Sequence, residues 1–196
     1  KRLDEALGRL LDALRSLNLL DNTVVLFTSD HGCHFKTRNS EYKRSCHESS
    51  IRVPTAFCGP PFDGGGQINA LVSLIDLPPT LLDAAGLPIP PGMEGRSILP
   101  LLRGRSHGGV RTGQEEDSHE GVRTAQEGSP WPEEVFVQIS ESQVARAIRT
   151  RRWKYCVNAP DRDPWAHSGA DRYVEEALYD LQADPYELDN LVGIEA

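Results

Sequence analysis

The chain opens on leucines that recur every three or four positions, the spacing of one face of a helix. They are Leu3, Leu7, Leu10, Leu11, Leu14 and Leu17. This pattern predicts an amphipathic helix that lays its leucine stripe on a sheet as part of the core, and not as a surface for binding partners. Residues 18–22 then supply the polar turn that ends the helix.

Two short apolar runs follow, and both predict strands. The first, residues 23–29, is rich in β-branched side chains and reads as a buried strand of a parallel sheet, with Asp30 at its carboxyl end. The second, residues 53–58, is stopped by Gly59-Pro60-Pro61, and Cys58 is expected to be a small buried residue at its end. The loop at 63–66 is expected to be flexible.

A helix is predicted between Ser73 and Gly86. Either Ser73 or Asp76 can cap it, Pro78 and Pro79 are tolerated only in its first turn, and Gly86 marks its end. We interpret Asp76 and Asp83 as capping or surface residues and not as catalytic groups.

Alternating residues in the last third predict antiparallel strands at 135–139, 144–149 and 153–157. Trp153 and Tyr155 are expected to be packing residues and not a platform for a sugar ring. Between residues 103 and 130 the chain is almost free of apolar side chains, and residues 109–115 nearly recur as 121–127. A 12-residue unit seen twice cannot build a stacked core, so a flexible insertion loop is predicted, with a substrate-gating lid as the alternative.

Composition narrows the function classes. The 29 acidic and 21 basic residues give a net charge of -8, which disfavours nonspecific binding to nucleic acid or to anionic membranes. Four sparse cysteines form no Cys-x-x-Cys metal motif and do not settle the redox compartment. No apolar run approaches the ~20 residues of a membrane span, and no targeting signal is visible.

Candidate chemistry gathers just after the first strand. Asp30 offers a carboxylate and His31 an imidazole to a divalent metal, and Gly32 permits the sharp turn that lets both reach one ion. Lys43 carries a compact positive charge suited to a tetrahedral anion such as sulfate or phosphate. The alternative is an ordinary turn, in which Asp30 bonds its own backbone and His31 lies at the surface.

Longer motifs resemble the sulfatases, the formylglycine-dependent hydrolases of the alkaline-phosphatase-like superfamily. The resemblance rests on the order and spacing of Asp30-His31-Gly32, Lys43 and residues 44–54, and on the segments 74–87, 92–102 and 177–191. It implies an α/β fold, with part of an alkaline-phosphatase-like central sheet, flanking helices and a small C-terminal antiparallel sheet. The implied domains are 1–102, the C-terminal part of the catalytic α/β domain, then the loop at 103–130, then a C-terminal subdomain at 131–196.

The resemblance also implies roles for single residues. Asp30 and His31 would be calcium ligands, and Lys43 would contact the sulfate ester as a catalytic residue. His47 stands where many relatives have an aromatic residue, and we expect it near the sulfate or the leaving oxygen, since an imidazole can donate a proton near neutral pH. The alternative is that His47 and Glu48 are a mutually bonded pair that braces the loop.

The connection between Gly32 and Lys43 departs from the common Gly-rich, acidic pattern of the family. We expect His34 and Arg38 in it to bind substrate. The cations around the site could also be no more than a solvated rim; they are Lys36, Arg38, Lys43, Arg44 and Arg52.

The family's nucleophile motif, Cys-x-Pro-x-Arg or Ser-x-Pro-x-Arg, does not occur in this chain. We therefore expect the C-terminal portion of a longer sulfuric ester hydrolase, inactive alone, whose formylglycine lies upstream. The expected substrate is a sulfated small molecule or glycan, in a periplasmic, secreted or lysosomal location. The alternatives are a phosphodiesterase or phosphonate hydrolase of the same superfamily, or a non-catalytic carbohydrate-binding relative.

Overall fold

The computed structural model describes residues 1–63, 65–103 and 130–194. Residues 104–129 of the predicted insertion loop, with their near-repeat, lie outside this part. The helices are α1 (Arg2–Ser16), α2 (Glu48–Ile51), α3 (Leu77–Ala84) and α4 (Leu99–Arg103). The strands are β1 (Val25–Phe27), β2 (Ala56–Cys58), β3 (Glu134–Ile139), β4 (Ala145–Thr150), β5 (Trp153–Asn158) and β6 (Val174–Asp180). Helices and sheets are thus mixed, as expected of an α/β protein.

The chain forms two compact units that do not follow chain order. The first unit contains Lys1–Phe27 and Thr55–Pro130, and the second contains Thr28–Pro54 and Trp131–Ala196. The segment that carries the candidate chemistry therefore belongs to the same unit as the C-terminal sheet. No helix in the described parts of either unit has the length and apolar character needed to cross a bilayer.

In the first unit, α1 confirms the predicted helix but not its predicted burial. None of its residues is buried, and Leu3 and Leu10 keep 66% and 53% of their surface exposed. The prediction of a core leucine stripe is wrong for this chain, because every described side chain of α1 stays at least partly exposed. The helical periodicity shows that one face of α1 is apolar, but it does not show that another part of the chain covers that face.

The two strands of the first unit pair with each other, antiparallel and not within a parallel sheet. Only three residues of each predicted run take part in the pairing. Gly59 is in the left-handed region at φ +94°, and a Cβ there would lie 2.1 Å from the Thr23 carbonyl oxygen. Cys58 is exposed, so the expectation of a buried residue is wrong. It lies at the end of a ribbon of only two strands, which covers little side-chain surface.

The helix predicted after Ser73 is confirmed, together with its cap. Ser73 and Asp76 form a capping box around the 3₁₀ turn Leu74–Asp76, and α3 continues from it with proline in its first turn. The Asp76 carboxylate also accepts the Arg96 backbone N–H at 2.8 Å. Gly86 follows the helix at φ +68°. These contacts support the interpretation of Asp76 as a structural residue.

In the second unit, the four strands form an antiparallel sheet in the order β3-β4-β5-β6. The first three confirm the predicted strands, and β6 was not predicted. Alternate residues face a core of small and aromatic side chains, which are Cys46, Ile139, Ala145, Ala147, Cys156, Ala177, Tyr179 and Leu181.

The two faces of β5 differ in burial. Lys154 and Cys156 are the buried residues, whereas Trp153 and Tyr155 keep 39% and 38% of their surface exposed. The two aromatic side chains lie on the more exposed face of β5, and the expectation that they are packing residues and not a platform for a sugar ring stays a prediction. The strand period is two, and aromatic size alone did not show which of the two faces is covered.

Candidate functional site

The segment 28–54 returns on itself at Gly32. The Gly32 backbone N–H donates to the Ser50 carbonyl at 2.7 Å, and a Cβ on Gly32 would lie only 2.1 Å from the Ser49 carbonyl oxygen. Glycine is thus required because two stretches of backbone pass close together, not because of a left-handed turn. This contact joins the Asp30-His31 pair to helix α2.

Asp30, His31 and Lys43 lie together, as the sequence predicted. The Lys43 ammonium is 2.9 Å from His31 Nε2, and His31 Nδ1 is 2.7 Å from the Gly32 carbonyl oxygen. A carbonyl can only accept and an ammonium can only donate, so Nδ1 carries the imidazole proton and Nε2 presents its lone pair. These two contacts assign the ring proton of His31 to Nδ1.

The acceptor atoms of this group converge. Asp30 Oδ2 lies 3.3 Å from His31 Nε2, and the Asp30 side chain is 82% exposed. A carboxylate oxygen and an imidazole lone pair repel each other unless a positive charge is shared between them, and the Lys43 ammonium supplies one such charge. The donor set therefore suits a cation. The alternative of a simple Asx turn accounts for the Asp30 Oδ1 contact with the His31 N–H at 3.1 Å but not for Lys43.

His34 lies inside the second unit. Its backbone N–H donates to the Tyr42 carbonyl at 2.8 Å, which closes the loop between Gly32 and Lys43. The residue is only 2% exposed, and neither ring nitrogen has a hydrogen-bond partner among the described residues. A buried imidazole without partners is costly, so its nitrogens are available to a polar group that enters this region.

Arg38 is held by the C-terminal segment of the chain. Its guanidinium donates to the Glu187 carbonyl at 2.7 Å and also to the Tyr186 carbonyl. Two arms of the guanidinium fork are therefore engaged with backbone, which fixes its position while other N–H groups remain. Tyr186 and Glu187 belong to the segment at 177–191 that carries part of the family resemblance.

His47 begins helix α2 and packs on the C-terminal sheet. Its Nδ1 lies 3.1 Å from Ser45 Oγ, and its Nε2 lies 3.3 Å from the Tyr179 hydroxyl. Burial, followed by the positive charges of Arg38 and Lys154, lowers the pKa of His47 from its ordinary value of 6.5 to about 4. The imidazole is therefore neutral near pH 7 and presents hydrogen bonds, not a labile positive charge.

Glu48 contacts two cations and not His47. Its carboxylate is 3.1 Å from Arg149 Nη2 and 3.5 Å from Lys154 Nζ. Burial alone would raise the pKa of Glu48, but the hydrogen bond from Arg149 and the charge of Lys154 outweigh it and lower the pKa. The alternative in which His47 and Glu48 brace each other is thus not the arrangement found.

Three residues important to this site were not anticipated. Lys154 is fully buried and contacts the carboxylates of both Glu48 and Glu187. The Glu187 Oε2 atom also accepts the Glu48 backbone N–H at 2.8 Å, at the first turn of α2. Tyr179 contacts His47. The available signals were the strand period, which puts Lys154 on the same face as Cys156, and the C-terminal motif that contains Glu187.

A small cavity of about 130 Å³ opens beside these groups within the second unit. Arg38, His47, Tyr179 and Glu176 contribute its charged and polar walls, and Cys46 and Cys156 contribute apolar ones. Burial raises the pKa of the Glu176 carboxyl. Five of the predicted site residues thus form two groups, one of Asp30, His31 and Lys43, and one of His47 and Arg38 beside this cavity, where Tyr179 joins them.

The comparisons with known proteins agree on one family. The profile of the sulfatase family matches residues 1–87. Arylsulfatase K of Mus musculus is 35% identical over 188 residues, which cover 96% of this chain and 30% of the mouse protein. Arylsulfatase K of Homo sapiens is 33% identical over 188 residues, which cover 96% of this chain and 31% of the human protein. The chain thus spans about a third of the length of the curated relatives it matches.

Solved structures share the fold. The structure of BT4656 in complex with its substrate D-glucosamine-2-N,6-O-disulfate matches with a TM-score of 0.66 at 25% identity, and the match covers 97% of this chain and 34% of that one. A phosphonate monoester hydrolase from Silicibacter pomeroyi has a TM-score of 0.67 at 22% identity, covering 97% of this chain and 35% of its own. The second likeness concerns the fold alone.

Proposed function

This chain belongs to the sulfatase family, with an alkaline-phosphatase-like fold, and from that premise we propose that it is the C-terminal portion of a sulfuric ester hydrolase. The observation that carries the proposal is the convergence of Asp30, His31 and Lys43 at one point of the loop after β1. A carboxylate, an imidazole lone pair and an ammonium together suit a cation beside an anionic ester.

In this proposal Asp30 and His31 are two ligands of a divalent cation, calcium by resemblance to the family. Calcium takes six to eight oxygen ligands, so the remaining ones would come from outside the Asp30-His31 pair. Bound there, the cation would supply positive charge that offsets the charge of the sulfate group. The nucleophile would be a formylglycine located upstream of this chain.

Lys43 is the residue that we assign to the sulfate group. Its ammonium already lies 2.9 Å from His31 Nε2, so a sulfate oxygen near the cation would also be near Lys43. A lysine charge placed before the reaction costs little reorganisation when negative charge shifts onto the sulfate oxygens.

His47, His34 and Arg38 are proposed to contact the rest of the substrate. The low pKa of His47 means that it would donate a hydrogen bond from a neutral ring and would not act as a general acid at neutral pH. The unpartnered nitrogens of His34 and the remaining donors of Arg38 suit the hydroxyl and carboxylate oxygens of a sulfated glycan. The proposed location is periplasmic, secreted or lysosomal, as expected for the family.

The experiment that tests this function uses the full-length protein with Lys43→Ala, assayed on an aryl sulfate, an aryl phosphate and a phosphonate ester. We expect sulfate-ester turnover to be fastest and kcat to fall ~10²-fold in the variant, with a smaller change in KM. Lys36→Ala, an exposed lysine of the same loop, is the matched control and should keep wild-type kcat.

Faster turnover of the phosphorus esters would favour the phosphonate hydrolase alternative, and equal losses in both lysine variants would remove Lys43 from the site. The metal proposal is tested separately by elemental analysis. Asp30→Ala should lower the bound calcium of the full-length protein, whereas Asp21→Ala, in an exposed turn, should not. Unchanged calcium in both variants would contradict the assignment of Asp30.

A further inference from the structure

Tyr42 has no part in the proposed reaction, although its side chain lies beside residues that do. The Lys43 ammonium lies over the Tyr42 ring, 5.5 Å from the ring centroid. The His31 ring meets the same ring edge-on, with 6.3 Å between the two centroids and 66° between the two planes. Tyr42 keeps 45% of its surface exposed. One partly open aromatic ring thus flanks two of the three residues in the group of Asp30, His31 and Lys43.

The backbone that carries this ring is held on both sides. The Tyr42 carbonyl accepts the His34 backbone N–H at 2.8 Å. On either side of Tyr42 and Lys43, Glu41 and Arg44 form an ion pair at 3.0 Å, and the Arg44 carbonyl accepts the Asn39 side-chain amide at 3.0 Å. Because the loop is bonded across itself, the Cα of Tyr42 is fixed, and this limits the positions that its ring can take.

Lys43 depends on contacts of this kind. A lysine charge sits on a flexible stem of four carbons, so it must be held in place to act at a defined point. Among the residues that the structure describes, no carboxylate forms an ion pair with Lys43. The contacts that hold its ammonium are His31 Nε2, at 2.9 Å, and the Tyr42 ring.

The contact with His31 cannot persist in the proposed site. Nε2 of His31 has one lone pair, which can serve either the Lys43 ammonium or a divalent cation, but not both at once. When that lone pair is taken, Lys43 loses its acceptor and meets a like charge nearby. The negative face of the Tyr42 ring is then the attraction that remains for the ammonium within the described part of the chain.

We propose that Tyr42 is a positioning residue whose ring holds the Lys43 ammonium beside the sulfate group. This inference rests on the proposed function, because Tyr42 acts through Lys43 and has no assigned contact with the reacting atoms. The attraction needs the π face of the ring and not the hydroxyl, so phenylalanine should replace tyrosine and leucine should not. A cation over a partly exposed ring corresponds to roughly a 2- to 5-fold effect on binding.

The test measures the dissociation constant of inorganic sulfate for the calcium-loaded full-length protein by isothermal titration calorimetry, which requires no turnover. Tyr42→Leu should weaken sulfate binding roughly 2- to 5-fold, and Tyr42→Phe should leave it unchanged. Replacement of Tyr42 by 3,4,5-trifluorophenylalanine keeps the shape of the ring but withdraws electrons from its face, so it should weaken binding as leucine does. Phe35→Leu, on an aromatic residue of the same loop that is 82% exposed, is the matched control and should bind sulfate like the wild type.

Bound calcium and the thermal midpoint should stay at their wild-type values in these variants. If Tyr42→Leu lowers the thermal midpoint, the comparison between phenylalanine and its fluorinated form decides the question, because the two rings pack alike. Equal sulfate affinity for these two rings would show that Tyr42 acts through packing, and it would overturn the proposal.

A double-mutant cycle tests whether Tyr42 acts through Lys43. In the Lys43→Ala background, Tyr42→Leu should weaken sulfate binding no further, because the charge that the ring holds is gone. The same loss in both backgrounds, or no loss in either, would contradict the role of Tyr42 alone. If Lys43→Ala itself bound sulfate as tightly as the wild type, the assignment of Lys43 in the proposed function would fail, and the role of Tyr42 with it.

Discussion

At the scale of single residues, the two imidazoles His31 and His47 are distinguished by what their nitrogens contact. His31 has one nitrogen on a carbonyl and the other on an ammonium, which assigns its ring proton to Nδ1. His47 contacts two hydroxyl groups, which can donate or accept, so burial and nearby cations determine its charge. The motif predicted that Asp30, His31 and Lys43 share one loop, but nothing local to His47 indicated Tyr179, which follows 132 residues later.

The low pKa of His47 predicts how stability depends on pH. The pKa of His47 is 6.5 in the unfolded chain and about 4 in the folded chain. Between these two pH values the unfolded state therefore binds more protons than the folded state. Above pH 6.5 the contribution of His47 to the free energy of unfolding is constant. As the pH falls from 6.5 to 4, the free energy of unfolding should decrease by roughly 1–2 kcal/mol, a figure reduced for partial solvent screening.

His47→Gln should remove this part of the slope when urea unfolding is measured at several pH values. The exposed His167→Gln is the matched control and should leave the slope as it is. An unchanged slope in the His47 variant would show that the imidazole is not protected from protonation by the fold.

At the scale of elements, the return of the loop onto α2 depends on Gly32. Gly32→Ala would place a Cβ 2.1 Å from the Ser49 carbonyl oxygen, so backbone must move, and we expect a loss of about 1–3 kcal/mol in the free energy of unfolding. Gly8→Ala is the control, because a Cβ at this interior position of α1 meets nothing within 4 Å. It should stabilise the chain by about 0.5–1 kcal/mol through helix propensity.

Denaturant unfolding of both variants measures the difference. If Gly32→Ala were as stable as the wild-type chain, the close approach between Gly32 and Ser49 would be wrong. If Gly8→Ala were destabilised as well, the effect at Gly32 could not be assigned to the clash.

The contact between Lys154 and Glu187 joins β5 to the C-terminal segment, with both side chains almost fully buried. Glu187→Gln leaves the lysine charge poorly compensated, and we expect a loss of about 3–5 kcal/mol in the free energy of unfolding. Glu175→Gln, on an exposed carboxylate bonded to Tyr155, should change it by no more than about 0.5 kcal/mol.

The double variant Glu187→Gln with Lys154→Met removes both buried charges and should recover part of the loss, as measured in the same unfolding experiment. If the double variant loses more free energy of unfolding than the two single variants lose together, the loss does not come from the charge pair. The cost would then lie in the hydrogen bond from the Glu48 backbone N–H to Glu187.

The sequence predicted several helices and strands correctly, but it did not predict which of their faces are buried. Helix α1, the capped helix α3 and three strands of the C-terminal sheet follow from local periodicity and capping residues. Burial of the leucines and of Cys58 was predicted wrongly, because burial depends on which element covers a face. The buried lysine could not be predicted since its partners, Glu48 and Glu187, are 106 and 33 positions away in the chain.

At the scale of the whole molecule, the segment that carries the candidate chemistry is grouped with the last third of the chain and not with its sequence neighbours. Contacts from Tyr186 and Glu187 to Arg38, Lys154 and Glu48 tie that segment to the C-terminal motif. This grouping explains why residues 177–191 share in the family resemblance although they contribute none of the proposed metal ligands. Their side chains and carbonyls hold Arg38, Lys154 and the first turn of α2 in place.

We predict that this chain alone turns over no sulfate or phosphate ester. It carries Asp30, His31 and Lys43, but its sequence contains no Cys-x-Pro-x-Arg or Ser-x-Pro-x-Arg motif, and charge stabilisation without a positioned nucleophile cannot complete a covalent mechanism. The measurement is an aryl sulfate and aryl phosphate assay of the purified chain with calcium supplied, beside the full-length protein. Turnover by the chain that depends on calcium and disappears in Asp30→Ala would show that a nucleophile lies within these 196 residues. Turnover that persists in Asp30→Ala would instead point to a contaminating hydrolase, since the proposed site could not then be its source.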